Sequence, residues 1–229
     1  MKAIKINQRI IYSAVVIGLL VSGAPACKKV AGLKFQEDTD HTTMVLDAHI
    51  NETAWQYLKD RSTGNQPDTI FKRMYDAIVY SGIDSNEYMQ PGRTFIFLHN
   101  DAIWRTGTPV PIDSYFGRYK IGSAAGTKWS DYSKQQVKNW LLYLIIPGEY
   151  SFDNVTPDNV EVKTLLPEGA DAANPRSIML FKVVNDRNSK FTINDFTNSV
   201  RLTATRTAGI ISDNGPIHVV DKLVEYGVK

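Results

Sequence analysis

The chain has 229 residues, 43% of them hydrophobic, 10% aromatic and 22% charged, a globular composition that argues against a disordered or fibrous protein. Twenty-six Lys and Arg stand against 24 Asp and Glu, a formal charge of +2 without a basic block, so no nucleic-acid partner is expected. One cysteine, Cys27, and four histidines (His41, His49, His99, His218) exclude a disulfide framework and a thiol-based metal site.

Residues 1–26 form a separate unit. Lys2, Lys5 and Arg9 precede the uncharged apolar stretch IIYSAVVIGLLVSGAPA, the layout of an export signal, which is set aside from fold reasoning. The segment Ala24-Pro25-Ala26-Cys27 closes a lipobox-like site, with Ala24 where Leu is usual and Pro25 where Ala or Ser is usual. The leader therefore resembles a bacterial lipoprotein signal. By that resemblance Cys27 is the mature N-terminus, is lipidated, and anchors the protein in a membrane, two or more acyl chains being needed for a stable hold. Removal of the leader takes away three positive charges and no acid, so the mature chain is essentially neutral.

Residues 27–40 are polar beyond the cysteine, lack sustained periodicity and read as a tether. Asp40, His41, Asp47 and His49 could sketch a hard-metal site but read better as a solvated strand edge. Neither metal nor cofactor is expected.

The first half of the folded part reads helical. Asn51 can cap a helix holding Ala54, Trp55 and Leu58, and Asp68 can cap a second with Phe71, Met74, Tyr75 and Ile78 on one face, stopped by Gly82. TFIFL (94–98) fits a buried strand, and Asn100 can cap a short helix starting at Asp101. A third long helix spans about 133–144, with Ser133 and Gln136 as a capping box and Val137, Trp140, Leu141 and Leu144 as its apolar stripe, ended by Pro147-Gly148. The second half changes period: 160–166, 177–184, 190–194, 199–206 and 217–226 are β-rich and separated by turn clusters such as NDRNS (185–189) and SDNG (212–215). Helices segregated ahead of strands predict an α+β domain over 41–229, its helices packed on a mostly antiparallel sheet.

The order of these blocks resembles the fasciclin-like family. GRTFIFLHNDAIW (92–104) is similar to that family's first signature through Thr94, Phe97, Asn100, Asp101 and Ala102. DNGPIHVVDKLV (213–224) is similar to the second through Asn214, Gly215, Ile217, His218, Val219 and Asp221. VKNWLLYLIIPGEYSFDNV (137–155) and VEVKTLLPEG (160–169) resemble the elements between them, although Leu144 stands where a His is usual. The resemblance implies a fasciclin-like fold, a wedge or sandwich of strands with packed helices, and a role in adhesion or matrix contact.

Thr94, Asn100, Asn214, Gly215, His218 and Asp221 each have a structural reading. His218 and Asp221, three apart on a strand, face opposite sides and cannot form a dyad. The stretch 104–136 looks longer than the family's usual connection and carries Trp104, Tyr115, Phe116, Trp129 and Tyr132. Exposed aromatics on loops stack on sugars and anchor protein contacts, so these five are the candidate binding residues, with a satellite core as the competing role. No nucleophile elbow, zinc-protease helix or phosphate loop occurs. The expectation is a non-catalytic, lipid-anchored module of the cell envelope, most simply the outer membrane, that contacts an envelope protein or glycan. Alternatives are an accessory subunit of an outer-membrane glycan-uptake or other envelope complex, or an envelope hydrolase with an unrecognised site.

Overall fold

The computed structural model describes residues 47–64, 68–195 and 202–226. The leader, Cys27, the tether, Asp40 and His41 lie outside the described residues. From Asp47 onward the chain makes one unit, mixed in class, with helices concentrated before strands.

Helix α1 (Ala54–Thr63) is capped by Thr53, whose Oγ1 accepts from Gln56 N at 3.2 Å. Asn51, the cap expected from sequence, instead adopts φ 50°. Its place is also filled from far along the chain: Asn214 Oδ1 accepts the Ala54 N–H at 2.8 Å. Helix α2 (Lys72–Ser81) buries Met74, Ala77 and Ile78 and ends at Gly82, whose φ of 68° is the left-handed conformation glycine adopts without a Cβ penalty.

Asp68 does not cap α2, because both its oxygens are taken by Arg61, at 2.7 and 2.5 Å. The cap comes from Asn100, whose Oδ1 accepts Arg73 N at 2.9 Å while its Nδ2 donates to Thr69 O at 2.7 Å. Asn100 is thus the first residue of the short helix α3 (Asn100–Ile103) rather than its cap. His99 caps α3 by accepting from Asp101 N.

After the one-turn helix α4 (Tyr115–Arg118), α5 (Lys134–Tyr143) starts at Ser133 as expected, with Ser133 Oγ accepting Gln136 N. It stops at Tyr143, four residues before Pro147. The following Ile145 and Ile146 are already pairing as strand β2, and ladder bonds compete successfully with another helical turn.

Seven strands form a single sheet in the order β2-β1-β7-β6-β5-β4-β3. They are β1 (Arg93–Leu98), β2 (Ile145–Pro147), β3 (Val160–Lys163), β4 (Ile178–Val184), β5 (Lys190–Ile193), β6 (Thr203–Ser212) and β7 (Gly215–Val220). All neighbours are antiparallel except one pair next to the β2 edge: β1 and β7 run parallel, with Phe95 opposite Ile217 and Leu98 opposite Val220. The two segments that resemble the family signatures are therefore side by side.

The sheet curls until its edges nearly meet, Leu165 N donating to Ile145 O at 2.9 Å across the gap. It is one almost closed barrel, where the sequence predicts a wedge or sandwich. Two boundaries also differ from expectation. Strand β6 runs on to Ser212 through an irregular stretch at 205–210, and β7 stops at Val220, so residues 221–226 are not strand.

Candidate functional site

The signature residues are committed to the fold. Thr94 Oγ1 donates to Gly148 O and accepts from Tyr150 N, both at 2.8 Å. His218, wholly buried against Phe181 and Phe191, donates from Nε2 to Tyr150 O at 2.8 Å and accepts Gly209 N on Nδ1 at 3.1 Å. Thr94 and His218 thereby grip both backbone groups of Tyr150. Gly209 reaches His218 because the β6 irregularity turns its N–H off the ladder.

Asn214 uses both ends of its amide: Oδ1 accepts from Ala54 N and Ser212 Oγ, and Nδ2 donates to Tyr88 O and Gln90 O. Gly215 has φ 141°, and a Cβ there would collide with the Arg93 carbonyl oxygen. Asp221 lies past the end of β7 with Arg206 Nη1 at 3.9 Å. Arg206 is equally far from Asp101, which contacts His99 Nδ1 at 3.1 Å; burial pushes His99 below its ordinary value.

The five candidate contact aromatics separate into two groups. Tyr115, Phe116, Trp129 and Tyr132 are buried (1%, 4%, 8% and 5% exposed) and do not present the exposed loop surface expected of them. The reason is mutual packing. The Tyr115 ring lies 4.4 to 6.2 Å from those of Phe116, Tyr119, Trp129, Tyr132 and Trp140, forming a second aromatic core on α2 and α5. Two of the polar tips are paired: Trp129 Nε1 donates to Arg73 O and Tyr132 Oη to Tyr119 O. Trp104 alone remains partly open, with the Arg73 guanidinium 4.8 Å from its ring.

This aromatic core forms one wall of a cleft of about 530 Å³, within the size range of small-molecule sites. Tyr115 and Trp140 contribute from below the surface, and Tyr119 and Tyr226 are half-buried at its sides. Gln135, Gln136 and Asn139 line it from α5, and Asp171 from the β3–β4 connection. Arg118 Nε donates to Glu225 Oε1 within the lining. The residues after β7 hold this arrangement: Leu223 N donates to Asp113 O, Trp140 Nε1 to Val224 O, and Thr203 Oγ1 to Leu223 O. Asp113 is itself fixed by Arg105, whose hydrogen bond holds its carboxyl below the usual range.

Nothing in the sequence marks Arg118, Gln136, Asp171, Glu225 and Tyr226 as one site, because they come together only when 221–226 leaves the sheet and packs on the 104–136 stretch. Among other cavities, one of about 530 Å³ is lined by Asp84, Glu87, Arg93 and Lys138, and one of about 370 Å³ by Tyr57, Arg61, Asp68, His99 and Arg206. Asp47 and His49 pair with each other at 2.8 Å on an exposed edge, and no cluster suited to a metal ion occurs among the described residues. No helix among them is long and apolar enough to cross a membrane.

No protein-family profile matches the chain, and no curated protein matches it in sequence. Among solved structures, it is similar to a FAS1 domain pair from the insect cell adhesion molecule Fasciclin I, at 12% identity and a TM-score of 0.46. The similarity covers 69% of this chain and 45% of that one, so the chain spans less than half the length of the pair.

Proposed function

We propose that the protein is a fasciclin-like, non-catalytic binding module of the bacterial cell envelope. It is tethered through acyl chains on Cys27 and contacts an envelope protein or glycan through the cleft between α4, α5 and the C-terminal segment. The observation that carries this reading is the cleft: a concavity of ligand size with an aromatic wall braced by a buried core, so that its shape exists before any partner arrives. The four sequence blocks that resemble the family support the fold assignment. The use of Thr94, Asn214, Gly215 and His218 in holding the fold leaves none of them for chemistry.

Affinity capture of the intact protein from envelopes tests the reading. The expected result is a specific partner retained by the wild-type protein and lost with Tyr226→Ala, whereas equal capture by both would overturn the cleft as contact site. Mass spectrometry of the native product tests the anchor: acylated Cys27 is expected, and an unmodified thiol overturns it.

One observation favours a second reading. Asp171 and Glu225 place two carboxylates in one cleft, the residue type that glycoside hydrolysis requires. Against it, the Glu225 Oε1 is occupied by Arg118, a contact that would have to break before the group could serve as an acid. Product analysis after prolonged incubation with oligosaccharides separates the two, cleavage establishing the hydrolase.

A further inference from the structure

Resting on the binding-module reading, we propose that the cleft accepts a neutral saccharide unit, with Tyr226 and Tyr119 supplying ring faces and the α5 amides supplying hydroxyl recognition. The pyranose ring offers apolar C–H faces edged with hydroxyls, and the lining matches both parts. Tyr119 and Tyr226 provide planar apolar surface, backed from below by the buried Tyr115 and Trp140. Gln135, Gln136 and Asn139 provide side chains that donate and accept at once, as hydroxyl partners must. Gln135 Nε2 already donates to Asn139 Oδ1 at 2.6 Å, which orients both amides on one face of the helix.

A second observation is independent of the lining's composition. The hydroxyl of Tyr115, a residue only 1% exposed and part of the cleft wall, makes no hydrogen bond of normal length, and the Gln136 side chain is the polar group that reaches toward it. A buried hydroxyl left unpaired is costly, and such groups in native structures mark water or ligand positions. A sugar hydroxyl that displaced the Gln136 side chain would supply the partner. Charge selects against acidic sugars, since the only cation in the lining, Arg118, is neutralised by Glu225, and Asp171 adds a negative charge.

The test titrates the full-length chain separately with maltotriose, cellotriose, mannotriose and N-acetylchitotriose, and with digalacturonate as the acidic comparison. Side-chain amide resonances of Gln135, Gln136 and Asn139 are followed by NMR. At least one neutral trisaccharide is expected to shift these signals saturably, and Tyr226→Ala to weaken its binding about tenfold, the scale of one lost aromatic contact. Gln136→Ala should weaken it as well, with melting curves confirming that both variants fold. Digalacturonate is expected to leave the signals unmoved.

The proposal is overturned if no neutral sugar moves these resonances, if digalacturonate moves them more, or if folded Tyr226→Ala binds as wild type does. Failure with every sugar, alongside partner capture that still depends on Tyr226, would sink the saccharide assignment and leave the binding module standing. Hydrolysis of a bound trisaccharide would do the reverse, keeping the sugar site and removing the non-catalytic reading.

Discussion

The imidazole of His218 accepts from one backbone N–H and donates to one carbonyl, so it fits its place only as the neutral ring protonated on Nε2. Burial pushes it down to about 4 from an ordinary value of 6.5. Between those values the unfolded chain binds a proton that the folded chain refuses. Stability is therefore complete above the unfolded value and declines as pH falls toward 4, by about 3 kcal/mol in all. Urea unfolding from pH 7 to 4 should show a shallower decline in His218→Gln than in wild type, and parallel declines would refute this account. Asn214→Ala removes four hydrogen bonds linking α1, the segment before β1 and the β6–β7 turn, and should cost about 2–4 kcal/mol in the same assay. Gly215→Ala should be worse, since a rare backbone conformation and a backbone collision coincide there.

Among the elements, α2 shows how a cap can come from elsewhere in the chain. Asn100→Ala is expected to lower stability by about 1–2 kcal/mol, the cost of losing a helix cap. Asp68→Asn breaks only a half-exposed ion pair and should cost less than about 1 kcal/mol. Denaturant midpoints of the two variants decide which residue is the cap. The 104–136 stretch gives a sharper contrast. Trp129→Ala opens the second aromatic core and should cost about 3–5 kcal/mol, whereas Trp104→Ala, partly open to solvent, should cost less than half as much. Such differences mark what a one-dimensional reading can hold. The faces of α2 and α5 and the run 94–98 repeat locally and were legible in sequence. The Asn100 cap, the Asn214 bridge and the burial of Tyr115, Phe116, Trp129 and Tyr132 depend on partners tens of residues away, which no local pattern encodes. The cleft was invisible for the same reason: its lining runs from Tyr115 to Tyr226.

At the level of the molecule, near-closure of the sheet makes its two edge strands protect each other. The Leu165 amide, which bridges to Ile145 across the seam, should exchange with solvent more slowly than the exposed amides of the 185–189 turn, and a fast Leu165 amide would mean the seam is open. The parallel pairing of β1 with β7 has a further consequence. A ladder buried along almost its whole length joins residues 93–98 to residues 215–220, so a growing polypeptide completes it only long after β1 has been made. A nascent chain halted before residue 215 carries β1 without the neighbour that covers one of its sides. Assembly of the domain must wait until β7 has been synthesised, and termination before it yields no smaller working version of the domain.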